Sequence, residues 1–390
     1  MTKVNTSLRA AKHAKTDEFY TQFSDIQKEI EAYLEYDPDT FKNKVVYSNC
    51  DDPFESNFFR YFVLNFNRLG LKQLIATSYK PSPIANTQLG LFGDDKTLKE
   101  RKGRPKVTAN KFIINEVHDM DGDGAFNLSD ISEQLKVNKN NEWTPLEGDG
   151  DFRSQECIEL LKQSDIVVTN PPFSLFRQYL KQLFDYDKKF LIIGNMNAIT
   201  YREVFPLLKE NKMWLGVTRS GTGSMWFVVS DDMPTKTGQR IDENGVRYQT
   251  IGNSAWFTNL DHGRRHQSLS LMTQTDIVKF ATKEPFNKYF NHDAIDVSLV
   301  KNIPSDYDGL MGVPITFFGK YNPEQFEIIG LGISNSGIEI GVRPYEPEHK
   351  KYRKEIQKRG AVDGDLYMII DGEVTVPYAR VLIKHRKAVK

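Results

Sequence analysis

The sequence predicts an α/β chain: a doubly wound, mostly parallel sheet followed by a smaller C-terminal region. Three observations lead there. Between residues 44 and 259, short apolar runs of strand length alternate with stretches of helical periodicity, which favours parallel crossovers. One run, Ile166-Val167-Val168, is apolar without alternation, as suits a strand buried on both faces of a parallel sheet. Beyond about residue 266 the pattern becomes irregular and rich in turns. At 390 residues the chain is long enough for a full α/β domain and a second, smaller one.

Residues 1–18 are polar and basic and read as an arm leading into a helix over 25–36. The first strand is 44–48. A helical stretch follows with Phe58, Phe59, Phe62, Val63 and Phe66 on one side, then a second strand, Gln73–Thr77. Residues 81–147 contain insertions, signalled by turn formers and charges, around a third strand at 111–117. The fourth and fifth strands are 165–169 and 189–194. Segments 213–217, 224–229 and 254–259 are expected to complete the sheet, the last two antiparallel.

Lysine plus arginine and aspartate plus glutamate number 52 each, so net charge does not argue for nucleic acid. Any such contact must come from local basic patches: 96–106, which includes Arg104; Arg264-Arg265; 349–359, with Lys350, Lys351, Arg353, Lys354, Lys358 and Arg359; and the tail 384–390. Each also reads as a plain solvated loop. The two cysteines, Cys50 and Cys157, make no disulfide framework and fit a reducing, cytoplasmic setting. No apolar stretch approaches the length of a membrane span, and the N-terminus lacks the apolar core of a signal peptide.

The fourth strand ends abruptly in Asn170-Pro171-Pro172-Phe173. Two prolines fix φ and withdraw two backbone donors, so the turn is stiff and its carbonyls are expected to point outward. Ser174 fits an N-cap for a helix over 175–184, with apolar pairs at Leu175/Phe176, Tyr179/Leu180 and Leu183/Phe184. An amide, a rigid carbonyl and an aromatic ring thus gather at the carboxyl end of a central strand, where open α/β sheets bind ligands. The set suits methylation of an exocyclic amine on a nucleobase, whose lone pair is delocalised into its ring. The Asn170 side-chain oxygen and the Pro171 carbonyl would each accept one N–H, localising that pair for attack on a methyl sulfonium. Phe173 would stack on a base that has left the duplex. The bland reading is a Pro-Pro turn closing a strand, with Phe173 in the core.

Three segments are candidates for a methyl donor. Phe19, Tyr20 and Thr21 belong to the first. Asn49-Cys50-Asp51-Asp52-Pro53 follows the first strand, where doubly wound sheets hold an adenosine ligand, and its carboxylates suit ribose hydroxyls or the ammonium of S-adenosylmethionine. The third, around Asp151 and Phe152, would place a carboxylate on the adenine amino group and a ring on its face. The glycine-rich loop common in methyl-donor binders is missing after the first strand, and no carboxylate ends the second.

On these residues the chain resembles the EcoRI-type DNA adenine methyltransferases along most of its length. The matching stretches are 17–22, 45–59, 148–154, 165–176, 190–193, 214–217, 309–317 and 322–326. The resemblance implies a Rossmann-like methyltransferase domain with a seven-stranded sheet over 1–265 and a target-recognition region over 266–390. It implies S-adenosylmethionine as donor, a flipped adenine in double-stranded DNA as acceptor, and a monomer acting on DNA. A restriction-modification setting follows, with any cognate endonuclease acting separately, or an orphan enzyme. Residues 19–21 would line the methionine end of the donor, 49–53 would replace the glycine loop, Asp151-Phe152 would flank its adenine, and Asn170–Phe173 would be catalytic. Two alternatives stand beside this: the same chemistry on a cytosine amine, an rRNA base or a protein glutamine, and a non-catalytic DNA-binding subunit. Segments 81–147 and 330–370 depart from the family pattern, so the target sequence is the least transferable inference.

Two further features stand apart from this resemblance. Lys102-Gly103-Arg104-Pro105-Lys106 has the form of a minor-groove hook or of a plain basic loop. Asp119, Asp121, Asp123 and Asp130 have the spacing of a twelve-residue calcium loop, but a strand precedes it and position twelve is the shorter Asp. Weak or no calcium binding is expected, and no catalytic metal.

Overall fold

The computed structural model describes residues 20–50, 56–79, 109–119, 140–218, 225–229, 239–243, 245–250 and 253–386. Phe19, Asp51, Asp52, Pro53, Arg104, Asp121, Asp123 and Asp130, with the hook segment 102–106, lie outside them; Tyr20 is described as backbone only. The chain divides into two compact units, residues 1–195 with 216–262, and residues 196–215 with 263–390. Among the described residues, no helix is long and apolar enough to cross a membrane.

The first unit is built on β1 (Val45–Ser48), β2 (Gln73–Thr77), β3 (Asn110–Ile114), β4 (Glu142–Pro145), β5 (Ile166–Thr169), β6 (Lys189–Asn195) and β7 (Ser254–Thr258). They run in the order β4-β3-β2-β1-β5-β6-β7. Among the described residues the sheet to which these strands belong has eight strands, one more than expected. The four central strands, β2-β1-β5-β6, are parallel, and β3, β4 and β7 are antiparallel to their neighbours. β1 and β5 are buried at every position, as strands covered on both faces must be.

Helix α1 (Phe23–Tyr36) begins two residues before its expected start. Helix α2 (Asn57–Leu64) links β1 to β2, α3 (Gln155–Gln163) leads into β5, and α4 (Phe176–Asp185) links β5 to β6. Ser56 caps α2 by accepting from Phe58 N and Phe59 N at 3.2 and 3.4 Å, and Phe58, Phe59 and Phe62 enter the core as their spacing predicts. α1 buries a charge among its apolar residues. The Glu29 carboxylate accepts from Val217 N at 2.8 Å, Thr218 N at 2.6 Å and Tyr33 OH at 3.0 Å, and from the Thr218 hydroxyl. Gly216 beside it has no room for a side chain, since a Cβ would lie 2.1 Å from Glu29 Oε1.

One expected strand of the central sheet lies elsewhere. Trp226–Val228, within the expected 224–229, joins a four-stranded side sheet between Tyr20–Thr21 and Arg247–Thr250. Only Phe227 of its three residues is buried, the pattern of a sheet with one wet face. The second unit is more regular than its turn-rich sequence suggested. It holds a four-stranded sheet of Ile295–Asp296, Met311–Pro314, Arg380–His385 and Phe326–Leu331. A hairpin pairs Met368–Ile370 with Glu373–Thr375 through Asp371-Gly372. Both turn residues have positive φ, 53° and 78°, which is why an Asp-Gly pair stands there.

Candidate active site

The end of β5 meets the end of β1. Ser48 Oγ donates to Val168 O at 2.9 Å, and the Thr169 hydroxyl donates to the Asn49 carbonyl. These two parallel strands therefore bring the Asn49 turn and the Asn170 tetrapeptide together at their carboxyl edge. Asn170 is 7 % exposed and Pro171 is buried, while Pro172 and Phe173 are half-buried. The two proline carbonyls differ. That of Pro172 accepts from Leu175 N at 2.9 Å and closes a 3-10 turn, Phe173–Leu175. That of Pro171 takes no hydrogen bond among the described residues. Phe173 packs partly against the main core, so the bland reading of its ring holds for part of its surface.

Ser174 does not cap the following helix as expected. It lies inside the 3-10 turn, and α4 starts at Phe176 with Leu175 at its N-cap and no side-chain cap. The tight turn takes the first residues of the predicted helix because Pro172 O is already bonded three residues ahead. The buried stripe of α4 is Phe176, Tyr179, Leu180 and Leu183. Gly194 on β6 lets Phe176 in, since a Cβ there would lie 2.4 Å from the ring.

Tyr179 ties the site together, and the sequence reading treated it only as core. Its hydroxyl donates to Asn49 Oδ1, and burial raises its pKa well above the usual tyrosine range. Its ring meets Phe152 edge-on at 5.0 Å. Gln182, further along α4, donates to Phe152 O at 3.0 Å. Asn49 and Phe152 thus converge on the helix that follows Asn170. Cys50 stands at φ 76°, in the left-handed region where a glycine is the ordinary occupant.

The third segment is shaped by Gly150, at φ 77°, whose missing Cβ would fall 1.9 Å from Ser78 O beyond the end of β2. The segment therefore lies against the same edge of the sheet. Phe152 is 6 % exposed. Asp151 accepts from Arg153 N at 2.8 Å and Nε at 2.9 Å, and pairs with Nη2 at 2.6 Å. The Arg153 guanidinium holds the Asp151 carboxyl below the usual range. Of the first segment, Thr21 is 3 % exposed, and its carbonyl accepts from Asn57 Nδ2 at 2.8 Å. Its hydroxyl is buried without a hydrogen-bond partner among the described residues. Buried hydroxyls are normally satisfied, so this one is a group that a ligand would complete.

The expected DNA-binding cations fall into two sets. Arg265 is 7 % exposed; its guanidinium lies 3.4 Å from the Trp214 ring centroid and donates to Asn211 Oδ1 at 2.5 Å. It braces the second unit, while Arg264 beside it is half-buried. Lys350 pairs with Asp363 at 2.7 Å, and Arg353 donates to Gly360 O at 3.0 Å. Both hold the 347–363 segment in place. Lys351, Lys354, Lys358 and Arg359 remain exposed. Asp119 is the sole member of the calcium spacing within the described residues, and no cluster fit for a metal occurs among them.

Comparison with known proteins gives the family. The model of the family described as adenine-specific methyltransferase EcoRI matches residues 7–386. Type II methyltransferase M.EcoRI of Escherichia coli is 44% identical over 387 residues, 99% of this chain and 98% of the relative. Type II methyltransferases M.MgeORF184P of Mycoplasma genitalium and M.MpnI of Mycoplasma pneumoniae are each 38% identical over 322 residues. They align with 82% of this chain and with 84% and 83% of their own lengths. No solved structure is a significant match. The chain belongs to the EcoRI family of adenine-specific methyltransferases.

Proposed function

We propose that the chain transfers a methyl group from S-adenosylmethionine to the exocyclic amine of an adenine in duplex DNA, at the site formed by Asn170 and Pro171. The observation that carries this reading is the acceptor pair: a nearly buried amide beside a proline carbonyl with no hydrogen bond among the described residues. An amine presented there gives one N–H to Asn170 Oδ1 and the other to Pro171 O. Its nitrogen turns toward tetrahedral geometry and its lone pair leaves conjugation with the ring. These bonds tighten as the nitrogen gains positive character, so they act chiefly in the transition state. The new N–C bond forms as the S–C bond breaks, and the nitrogen gives up one proton to solvent. Phe173 stacks on the flipped base with the part of its ring that the core leaves open.

The residues fit the donor. S-adenosylmethionine supplies an activated methyl on a sulfonium, which needs no metal. Thr21, with its unsatisfied buried hydroxyl, and the turn 49–53 would hold the methionine and ribose portions. Asp151 and Phe152 would flank the adenine, whose amino group would share the Asp151 carboxylate with Arg153. In the second unit, residues 266–390 are assigned to target recognition, with Lys351, Lys354, Lys358 and Arg359 on phosphates. One chain carries one acceptor pair, so a monomer on DNA suffices for one transfer, and a cognate endonuclease would act separately.

The test is methyl transfer from labelled donor to duplex DNA, with RNA and protein as competing acceptors. Label confined to adenine in DNA supports the reading. Label on cytosine, RNA or a protein amide gives the same chemistry another acceptor. DNA binding with no transfer at all would make the chain a recognition subunit.

A further inference from the structure

The second unit contains an open cleft of about 480 Å³ whose lining includes Thr200, Arg202, Asn335, Ser336, Ile338 and Glu339. Its 333–339 side is rigidly seated. Gly337 and Gly364 touch so closely that a Cβ on the first would lie 1.8 Å from Gly364 O, and on the second 1.8 Å from Ser334 O. Ser334 N donates to Asp365 Oδ1 at 2.9 Å, and Gly332 N donates to Arg380 O at 2.8 Å. Of the lining groups, the Thr200 hydroxyl donates to Asn197 O at 2.8 Å, while three longer side chains are uncommitted. Arg202, Asn335 and Glu339 are exposed, and their side chains make no hydrogen bond or ion pair among the described residues. A fixed frame thus presents open polar side chains, the arrangement that specific recognition needs.

The chemistry of the lining narrows the partner. An anion site would gather cations, but the one arginine is offset by a glutamate, so a phosphate gains little. A site for a compact organic ligand would be enclosed and mostly apolar, whereas this cleft is open and polar. The lining matches the edges of base pairs in a major groove: a guanidinium for guanine O6 and N7, an amide for adenine N6 and N7, a carboxylate for a cytosine amine, the Ser336 hydroxyl for either, and Ile338 for a thymine methyl. We propose that this cleft reads base edges of the target sequence outside the methylated adenine, with Arg202 and Asn335 making the direct contacts. The proposal rests on the reading of the chain as a DNA methyltransferase.

The experiment uses the full-length enzyme, labelled donor and a duplex library randomised around the methylated adenine, with methylated products sequenced. Arg202→Gln and Asn335→Ser are compared with the wild type. Because both side chains are exposed, their thermal unfolding should match the wild type. Each variant should relax one position of the target while leaving the others strict. Its preference for the native base there should fall by roughly 5- to 150-fold, the worth of one bidentate base contact. A uniform loss on all sequences with a shallower salt dependence would make these residues phosphate contacts and overturn the proposal. An unchanged target in both variants would remove the cleft from the DNA path. A wild type that methylates no duplex fails before any variant is compared; that sinks the parent reading, and this assignment with it.

Discussion

Tyr179→Phe isolates one hydrogen bond at the point where the segments of the site converge. Tyr179 is 1 % exposed and Asn49 3 %, so water cannot replace the lost hydroxyl. Asn49 Oδ1 would be left with Cys50 Sγ at 3.5 Å, a weak donor. Stranding a buried acceptor in this way costs about 1–3 kcal/mol, while the retained ring keeps its contact with Phe152. The turn it holds is already strained, since Cys50 occupies left-handed backbone at an expected cost of roughly 1–2 kcal/mol. Urea unfolding of Tyr179→Phe should therefore show a loss of about 1–3 kcal/mol. If that loss falls on the turn, the dissociation constant for S-adenosylmethionine should rise by roughly 5- to 100-fold in calorimetry, with turnover at saturating donor less affected. Thr169→Val removes the bond to the other end of Asn49 and should act the same way, and the two changes together should cost less than their sum. Stability within about 0.5 kcal/mol of wild type in both variants would refute the claim that these bonds hold Asn49. Lost stability with unchanged donor affinity would detach the turn from the donor site.

Three more outcomes follow from the same geometry. Glu29→Gln replaces one accepting oxygen by an amide that faces the N–H of Val217 or Thr218, so unfolding should register a loss of about 1–3 kcal/mol or more. Burial, outweighing its donors, raises the Glu29 carboxyl above the usual glutamate range. Its contribution to stability is thus fullest below the unfolded value of about 4.3 and is lost as pH rises through the folded value; the uncharged Gln variant should lack that dependence. Neutralising Lys351, Lys354 and Lys358 together should lower the log–log salt slope of DNA binding by roughly one per true phosphate contact, and an unchanged slope would make the segment a solvated face. Phe173→Ala should lower the flipped population by an amount worth about 1–3 kcal/mol, seen as altered 2-aminopurine fluorescence at the target, with turnover reduced less than by loss of Asn170.

The parallel core was legible because β1, β5 and β6 are apolar on both faces, and short β-branched or aromatic runs such as Val45-Val46-Tyr47 and Phe190-Leu191-Ile192-Ile193 suit covered strands. β4 was not legible: Glu142, Trp143 and Pro145 are exposed, so the strand leaves no apolar run to read. Trp226–Val228 was misplaced because three residues carry too little pattern to say which sheet they join. In the site, the Asn-Pro-Pro-Phe turn announced itself through its prolines. Tyr179 did not, since a buried tyrosine in an apolar stripe looks the same whether its hydroxyl is idle or anchors a loop. Cys50 gave no signal either, because left-handed backbone is normally flagged by glycine or asparagine. Lys350, Arg353 and Arg265 looked like their exposed neighbours, and their partners, Asp363, Gly360 and Trp214, show that they brace the fold.

The most direct test of the account is single-turnover methyl transfer by Asn170→Ala, with donor and DNA affinities measured on the same preparation. If Asn170 and Pro171 share the two amine protons mainly in the transition state, the chemical step should fall by about 10²–10³-fold, the cost of one such oriented group. Binding of donor and duplex should change little. A variant that transfers methyl groups at close to the wild-type rate would contradict the account, as would one whose lost activity is explained by lost donor binding.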